Sequence, residues 1–335
     1  MKKIVFVALS SLIIIGIVWL GYDLYRKVYR PCPASGQPQV VHIESGTPVD
    51  RMADILYSRR IIASAAYFKL YYRLFFSDLV LKSGDFLFEI PLTMKQVIMK
   101  LNEGRVILYN ITIKEGLTIQ EIADYLHELD LVKADEFLQA SRTKKLIADL
   151  DPQAQDLEGY LYPDTYAVPK DITALRLVQL MVSRFRENFS NSLAWRARDI
   201  KFSIRDTVTL ASLIEKETAN RDERFLISSV FHNRLKRRML LDCDPTIIYA
   251  LKKENRYLGK LTWDDLKVDS PYNTRIYPGL PPGPICNPGL LSIEAALYPE
   301  STHYLFFVAK SPSAHHFSAT LKEHNRAVRE YIIEK

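Results

Sequence analysis

The chain has few cysteines, and none of them is arranged for metal binding. The 335 residues include three, Cys32, Cys243 and Cys286, and no two of them show the CxxC spacing that is typical of a zinc site. Because three is an odd number, a complete disulfide framework is excluded as well. A single disulfide between Cys243 and Cys286 is the alternative that the sequence leaves open for a chain outside the cytoplasm.

The chain also lacks a large excess of either charge. Lys and Arg number 45 against 39 Asp and Glu, which gives a formal net charge of +6. Acidic residues are interleaved with basic ones nearly everywhere, whereas a DNA-binding domain concentrates its basic residues in a stripe. We therefore expect no nucleic-acid partner. The mild positive charge suits an anionic polymer or an acidic membrane surface.

The long apolar run of the chain lies at the amino terminus. Lys2 and Lys3 precede an apolar run from Ile4 to Gly21, and about 20 apolar residues are enough to span a bilayer. No small-residue cleavage site follows the run, so we expect an anchor rather than a cleaved signal peptide. Residues 1–31 are predicted to be a short cytoplasmic tail and a single transmembrane helix in the cytoplasmic (inner) membrane. The rest of the chain is then on the periplasmic, extracytoplasmic side.

One sequence pattern occurs twice after this segment. The stretch that starts at Val41 is repeated from Ile111, and Gly46 aligns with Gly116, 70 residues further on. Each copy predicts a short alternating strand, a turn whose glycine can adopt positive φ, and an amphipathic helix. Both copies resemble the start of a LysM module, which binds glycans that contain N-acetylglucosamine. Residues 32–140 are therefore predicted to form a LysM-like region, although two simple packing units are the alternative.

Local signals predict further elements between and beyond the two copies. Thr93 to Asn102 is predicted to be a helix that Gly104 closes, and residues 81–88 a hairpin-like element. Ser203 and Asp206 fit an S-x-x-D capping box at the start of another helix. This last helix contains the most informative carboxyl groups of the chain.

The helix after Ser203 contains two candidate acids. At about 100° per residue, Glu217 projects into the apolar face and Glu215 lies nearer its rim, so we expect Glu217 to be the more buried. Apolar surroundings disfavour the ionised carboxylate, and the protonated group can then donate a proton near neutral pH. The alternative is that both are surface charges that pair with Lys216 and Arg221.

The carboxy-terminal half matches the pattern of a known family in seven separate stretches. In order, they are 157–166 (LEGYLYPDTY), 214–218 (IEKET), 230–235 (VFHNRL), 244–246 (DPT) with Tyr249, 270–274 (SPYNT), 279–285 (GLPPGPI) with 287–289 (NPG), and 316–318 (HFS) with 323–325 (EHN). Together with the apolar amino terminus and the LysM-like unit, they resemble the endolytic transglycosylases of the MltG (YceG-like) family. The resemblance extends over nearly the full chain.

The resemblance implies an α+β fold in which residues 141–335 form the catalytic domain. The implied enzyme is a lyase that cleaves the MurNAc–GlcNAc β-1,4 bond of nascent peptidoglycan strands and forms 1,6-anhydroMurNAc ends. Glu217 takes the position of the general acid and then base, with Glu215 as the fallback. Penicillin-binding proteins or other glycan polymerases are the implied partners. The alternatives are a hydrolytic muramidase and a non-catalytic scaffold that binds peptidoglycan.

The resemblance implies neither a cofactor nor a metal, and His316 and His324 lack a third ligand nearby in the sequence. Tyr272 is expected to stack on a pyranose ring. Further matched positions are candidates for substrate binding or for shaping the cleft: Glu158, Asp164, Thr218, Asn233, Asp244, Thr246, Tyr272, Asn273 and Thr274. The chain departs from the family pattern at Asp242-Cys243, where Gln and a small hydroxyl residue are more usual, and at Arg275, which replaces an aromatic residue.

Overall fold

The chain divides into two units that are each held together by their own contacts. The computed structural model describes residues 2–32, 38–89, 91–218, 220–311 and 314–334, and residues 2–10 only as backbone. Unit 1 contains Met1–Asn110 with Ala167–Asp171, and unit 2 contains Ile111–Tyr166 with Ile172–Lys335. Helices and small two-stranded sheets are mixed throughout, so the predicted α+β class is confirmed.

Unit 1 contains the amino-terminal helix and the first copy of the repeat. Its elements are α1 (Lys2–Tyr29), β1 (Gln39–Ile43), α2 (Val49–Ser58), α3 (Ala65–Phe75), β2 (Gly84–Phe88) and α4 (Met94–Glu103). β1 and β2 pair antiparallel, with Val41 opposite Phe86. Buried apolar side chains from these strands and helices, among them Leu56 and Phe68, form one hydrophobic core.

The apolar run at the amino terminus is helical. Large apolar side chains of α1 between Leu12 and Leu20 are 57–68% exposed. Among the helices of the described residues, however, none combines the length and the hydropathy that crossing a membrane requires. The transmembrane anchor therefore stays a prediction.

The predicted helix before Gly104 is confirmed together with its caps. The Thr93 hydroxyl accepts a hydrogen bond from Gln96 N, the Gln96 side chain accepts one from Thr93 N, and Gly104 ends the helix at φ +69°. The hairpin-like element expected at residues 81–88 is wrong, because Gly84–Phe88 is a single strand. Its partner β1 lies about 40 residues earlier, and a local pattern does not reveal such a pairing.

Unit 2 begins in the second copy of the repeat and continues into a helical domain. The bounds of the units fall within β3 (Tyr109–Thr112) and β4 (Thr165–Val168). The elements that lie wholly in unit 2 are α5 (Ile119–Glu128), α6 (Ala134–Ala140), α7 (Ala174–Asn188), α8 (Asn191–Asp199), α9 (Ile204–Glu217), α10 (Arg224–Lys236), α11 (Asp244–Lys253), α12 (Leu290–Leu297), β5 (Phe306–Ser311), β6 (Ala314–Ser318) and α13 (Leu321–Val328). β3 pairs with β4, and β5 pairs antiparallel with β6.

The structure confirms the repeated strand-turn-helix unit. Helices α2 and α5 begin at Val49 and Ile119, which keeps the 70-residue offset of the sequence pattern. Gly46 and Gly116 adopt φ of +79° and +80°, as predicted from the lack of a side chain at glycine. The contacts place the second copy in unit 2, and the domain boundary at residue 140 stays a prediction.

Helix α9 lies at the centre of unit 2. It packs against α8, α10, α11 and α12, and every residue from Thr207 to Ile214 is buried. Three of these buried residues are hydroxyl residues, and the Ser212 hydroxyl donates to Thr209 O at 2.7 Å and accepts from Ile285 N at 3.0 Å. The helix is thus enclosed on all sides, which fixes the position of the carboxyl groups at its end.

Candidate active site

Helix α9 presents both candidate acids at its carboxyl-terminal end. Its predicted capping box is confirmed, because the Ser203 hydroxyl accepts from Asp206 N at 3.0 Å and the Asp206 carboxylate accepts from Ser203 N at 2.9 Å. Glu217 is the last helical residue. The aligned peptide dipoles leave partial negative charge at this end of a helix, and that charge opposes the ionisation of a carboxyl group.

The surroundings of Glu217 favour its protonated form. Burial is the main cause that raises the pKa of Glu217, and the negative charges of Asp244 and Asp242 raise it further. A hydrogen bond from the Cys243 thiol and the nearby His315 act in the opposite direction. No basic side chain among the described residues forms an ion pair with Glu217. Glu217 therefore holds a proton at higher pH than an ordinary glutamate, as a general acid requires.

Glu215, the fallback acid, is part of an internal ion pair. One carboxylate oxygen accepts from Arg224 Nη2 at 2.8 Å, and the other accepts from Gly289 N at 3.0 Å. Both charged side chains are only 5% exposed. The expectation that Glu215 lies near the rim of the helix is therefore wrong, because Arg224 and the start of α12 cover it. Burial raises the pKa of Glu215, and Arg224 opposes that rise. With both oxygens occupied, Glu215 joins α9 to α10 and α12 and is poorly placed to deliver a proton.

The Asp-Pro-Thr and Tyr-Asn-Thr motifs meet beside Glu217. Asp242 N donates to Thr274 O at 3.1 Å, and Cys243 N donates to Thr274 Oγ1 at 3.0 Å. The hydroxyl oxygens of Thr246 and Thr274 lie 3.0 Å apart. Cys243 stands between the two motifs, and it is near enough to Glu217 for each group to shift the pKa of the other. Residues distant in sequence thus form one wall of the candidate site.

The cysteines are free thiols in this structure. Cys32, Cys243 and Cys286 are all buried, and none is paired. The Cys286 thiol instead donates to Ser212 O at 3.4 Å. The Cys243–Cys286 disulfide that the sequence left open is not formed.

His315 is a site residue that sequence reasoning missed. Its Nδ1 lies 2.7 Å from Glu223 Oε2, and its backbone N donates to Glu223 Oε1 at 2.8 Å. Both side chains are largely buried, and His315 is close enough to Glu217 to lower the pKa of that carboxyl. His315 lies just outside the matched motifs, whereas the neighbouring His316 begins the motif 316–318 (HFS). The alternation of strand β6 is the signal that could have found His315, since neighbouring residues of a strand point to opposite faces.

Comparison with known proteins places the chain in a family. The model of the YceG-like family matches residues 41–330. A Bacillus subtilis protein named endolytic murein transglycosylase is 33% identical over 94% of this chain and 91% of its own length. A Streptococcus pneumoniae protein of the same name is 28% identical over 95% of this chain, which spans 63% of that longer protein. The chain belongs to the YceG-like family. The crystal structure of a YceG-like protein from Listeria monocytogenes agrees, with a TM-score of 0.59 and 34% identity over 87% of this chain and 99% of that one.

Arg275 forms ion pairs with both aspartates that act on Glu217. Arg275 Nη1 lies 3.1 Å from Asp242 Oδ1, and Arg275 Nη2 lies 2.8 Å from Asp244 Oδ1. Both aspartates are therefore held by one guanidinium group beside Glu217.

Glu158 is an internal brace of this YceG-like domain. It is 6% exposed, and its carboxyl group accepts from Ile119 N at 3.1 Å, Asn287 Nδ2 at 3.0 Å and the Tyr249 hydroxyl at 3.4 Å. Burial raises the pKa of Glu158 to about 8. These contacts leave little of the carboxyl group accessible to a sugar, and they hold the start of α5 against the loop that contains Asn287.

The two candidate asparagines also have internal partners. Asn233 Nδ2 donates to the carbonyl oxygens of Thr302 and Tyr304, each at 3.0 Å. Asn273 is fully buried, and its Nδ2 donates to two carbonyl oxygens of the preceding loop at 3.1 and 2.8 Å. Their amides fix loops around the site rather than extend into open space.

The candidate threonines and Asp164 are likewise engaged. Thr218 is buried and its hydroxyl accepts from Asn220 N at 3.0 Å, while Thr246 and Thr274 are at most 1% exposed. Asp164 forms an ion pair with Arg184 at 2.9 Å on the surface. Of the candidates, Asp164, Asn233, Asp244 and Tyr272 are half-buried, and the others are buried.

The ring of Tyr272 has a protein partner. Its centroid lies 5.0 Å from that of Tyr249, and Lys253 Nζ lies 5.6 Å from the Tyr272 centroid. The small cavity that Tyr272 and Glu158 line has a volume of about 40 Å³. One water molecule occupies about 30 Å³ in the liquid, so this cavity is too small for a pyranose. Sugar stacking on Tyr272 stays a prediction.

Proposed function

We propose that this chain is an endolytic murein transglycosylase that cleaves the MurNAc–GlcNAc β-1,4 bond of nascent glycan strands. The observation that carries the proposal is a single carboxyl group, Glu217, which ends a buried helix, has a raised pKa and forms no ion pair among the described residues. The Bacillus subtilis and Streptococcus pneumoniae relatives, which match 94–95% of this chain, support it by their name.

One carboxyl group is sufficient for this reaction. The Glu217 proton passes to the bridging oxygen as the bond from that oxygen to C1 of MurNAc breaks, and the GlcNAc hydroxyl leaves. The C6 hydroxyl oxygen of the same MurNAc then bonds to C1, and its proton returns to the Glu217 carboxylate. The 1,6-anhydro ring is complete, Glu217 is again protonated, and no water is consumed. A pKa of Glu217 near the working pH serves both steps, because the group must first donate a proton and then accept one.

The contacts of Asp242 and Asp244 favour this lyase reaction over hydrolysis. A hydrolytic glycosidase needs a second carboxylate as nucleophile or as base for water. Asp242 and Asp244 are the two aspartates whose charges act on Glu217. Both form ion pairs with Arg275, in which Nη1 lies 3.1 Å from Asp242 Oδ1 and Nη2 lies 2.8 Å from Asp244 Oδ1. In these ion pairs the guanidinium group occupies one oxygen of each aspartate.

Mass analysis of the products tests the proposal. Digestion of nascent glycan strands by the full chain is expected to give internal cuts whose MurNAc ends are lighter than a reducing end by one water. Reducing ends would show a muramidase instead. Intact strands that bind the protein would show a non-catalytic scaffold.

We also propose roles for the matched residues around Glu217. Asp244 and Tyr272, whose side chains remain partly accessible, contact the sugar. The other matched positions shape the cleft through their internal hydrogen bonds and ion pairs: Glu158, Asp164, Thr218, Asn233, Thr246, Asn273 and Thr274.

For unit 1, we propose glycan binding by its LysM-like part. A groove of about 580 Å³ is lined by Gly46 and Thr47 of the first turn, Met52 of α2 and residues 80–83 before β2. Ligand sites typically have volumes of about 300–1,000 Å³. A glycan held there would come from the strands that a polymerase is extending, so we propose penicillin-binding proteins or other glycan polymerases as neighbours.

We propose further that α1 anchors the chain in the cytoplasmic membrane, with unit 2 on the extracytoplasmic side where murein is found. The exposed apolar side chains of α1 support this proposal. An aspartate at the centre of a membrane helix costs about 2.5–3.5 kcal/mol on insertion scales. Ile14→Asp combined with Val18→Asp in the full chain is therefore expected to move the protein out of the membrane fraction. Retention of the variant in that fraction would exclude α1 as the anchor.

A further inference from the structure

Arg275 forms ion pairs with the residues on either side of Cys243, where the chain enters α11. Its Nη1 lies 3.1 Å from Asp242 Oδ1, and its Nη2 and Nε lie 2.8 and 2.9 Å from Asp244 Oδ1. The backbone turns at Asp242, which adopts φ +56°, in the left-handed region that costs energy for residues other than glycine. Aspartate tolerates this region better than most residues.

The same turn is tied to the Arg275 segment by its backbone. Asp242 N and Cys243 N donate to Thr274 O and Thr274 Oγ1, at 3.1 and 3.0 Å. Cys243 is 1% exposed, and its thiol faces Glu217 between the two ion-paired aspartates. The three charged side chains are 34–47% exposed, so they lie at the rim of the site while Cys243 lies inside it.

We propose that Asp242, Asp244 and Arg275 form a clamp that positions Cys243 against Glu217 and neutralises the two carboxylates beside this acid. Arg275 is then a positioning residue for the reaction, and the inference rests on the proposed function of Glu217.

The clamp has an electrostatic consequence that a purely structural contact lacks. The charged and titratable groups that face Glu217 are Asp242, Cys243 and Asp244 from the turn, His315 from β6 and Arg234 from α10. Loss of the Arg275 charge leaves two uncompensated carboxylates in this set. Since both already raise the pKa of Glu217, the pKa rises further, and the carboxyl group keeps its proton to higher pH.

Rate measurements across the pH range with the full chain test the clamp. Arg275→Gln is expected to lower the rate near neutral pH several-fold and to move the alkaline limb of the profile to higher pH. Arg275→Lys keeps the charge but loses the two-pronged geometry, so its alkaline limb is expected at a pH closer to that of the wild type. Asp242→Asn added to Arg275→Gln removes one uncompensated charge and is expected to return the limb toward the wild-type position.

The matched control is Arg186→Gln. Arg186 forms a comparable two-pronged ion pair with Asp149 at the surface, at 2.6 and 2.9 Å. The Arg186→Gln variant is therefore expected to leave the dependence of rate on pH unchanged. An Arg275→Gln profile that coincides with the wild type, or a loss of rate without a shift of the limb, would overturn the clamp.

A second readout separates this inference from the proposed function. The pKa of Glu217 can be measured by carbon NMR of labelled carboxyl groups, with Glu217→Gln to assign the signal. A higher pKa in Arg275→Gln supports the clamp even if the wild type forms no anhydro ends. An unchanged pKa in a folded Arg275→Gln protein rejects the clamp while leaving the proposed reaction intact.

Discussion

Replacement of Glu217 by glutamine is expected to abolish strand cleavage while the protein stays folded. Glutamine keeps the size of the side chain but has no proton to transfer to the bridging oxygen. General acid–base catalysis contributes about 10²–10⁴-fold in rate, and Glu217 serves twice in the proposed reaction, so a loss of at least this size is expected. Product formation from nascent strands, followed by mass analysis, measures the effect.

Glu215→Gln is the matched control, two residues earlier on the same helix. This variant is expected to lose thermal stability, because Arg224 loses the nearer of its two carboxylate partners, Glu215 at 2.8 Å, and keeps only Glu115 at 3.5 Å. The protein that remains folded is expected to cut the strands. If Glu217→Gln kept wild-type activity and Glu215→Gln lost it, the assignment of the acid would be reversed.

Arg224→Ala is expected to lower the free energy of unfolding by about 3–5 kcal/mol, the typical cost of breaking a buried ion pair. The Glu215 side chain is 5% exposed in the intact pair, and the variant removes its cation. Arg224 makes its described hydrogen bonds through Nη2 alone, because Nε and Nη1 are buried without a partner among the described residues. Denaturant unfolding followed by circular dichroism measures the loss.

Two further variants show whether the charge of Glu215 causes this loss. Removal of both charges in Glu215→Leu with Arg224→Met is expected to restore most of the stability, because no buried charge is left unpaired. Arg186→Ala breaks a surface pair and is expected to cost about 0–1 kcal/mol. Equal losses for Arg224→Ala and Arg186→Ala would show that the Glu215–Arg224 pair has no special role.

The sequence predicted well the features that depend on neighbouring residues. The helix that starts at Thr93, the capping box at Ser203 and the glycines at positions 46 and 116 follow from backbone hydrogen bonding and φ, which a few adjacent residues determine. The placement of Glu215 and Glu217 on the helix after Ser203 follows from the same local pattern. The offset between the two copies was likewise visible from the sequence alone.

The features that were missed depend on residues far apart in the chain. Glu215 is covered by Arg224 and by Gly289, 74 residues away, so a helical wheel could not show that it is buried. The partner of β2 lies in β1, and the charge that holds Asp242 comes from Arg275. Helical periodicity reports which face of an element is apolar, but it does not report which loops close over that face.

The candidate substrate residues show the same limit. Polar residues in a family motif fit sugar binding and loop support equally well at the level of sequence. In the structure, Asn273 and Glu158 are buried and bonded to backbone groups, whereas Asp244 and Tyr272 remain partly accessible. Burial and partners separate the two roles, and both depend on the tertiary fold.

Direct titration of the Glu217 carboxyl group tests the central claim, that burial makes this group keep its proton to higher pH than an ordinary glutamate. Carbon NMR of labelled wild type, with Glu217→Gln to identify the signal, is expected to give a pKa above about 4.3, the ordinary value for glutamate. Cleavage should then fall as the pH rises through that value, because the acid loses its proton. A Glu217 pKa at or below the ordinary value, with full cleavage above it, would contradict the mechanism.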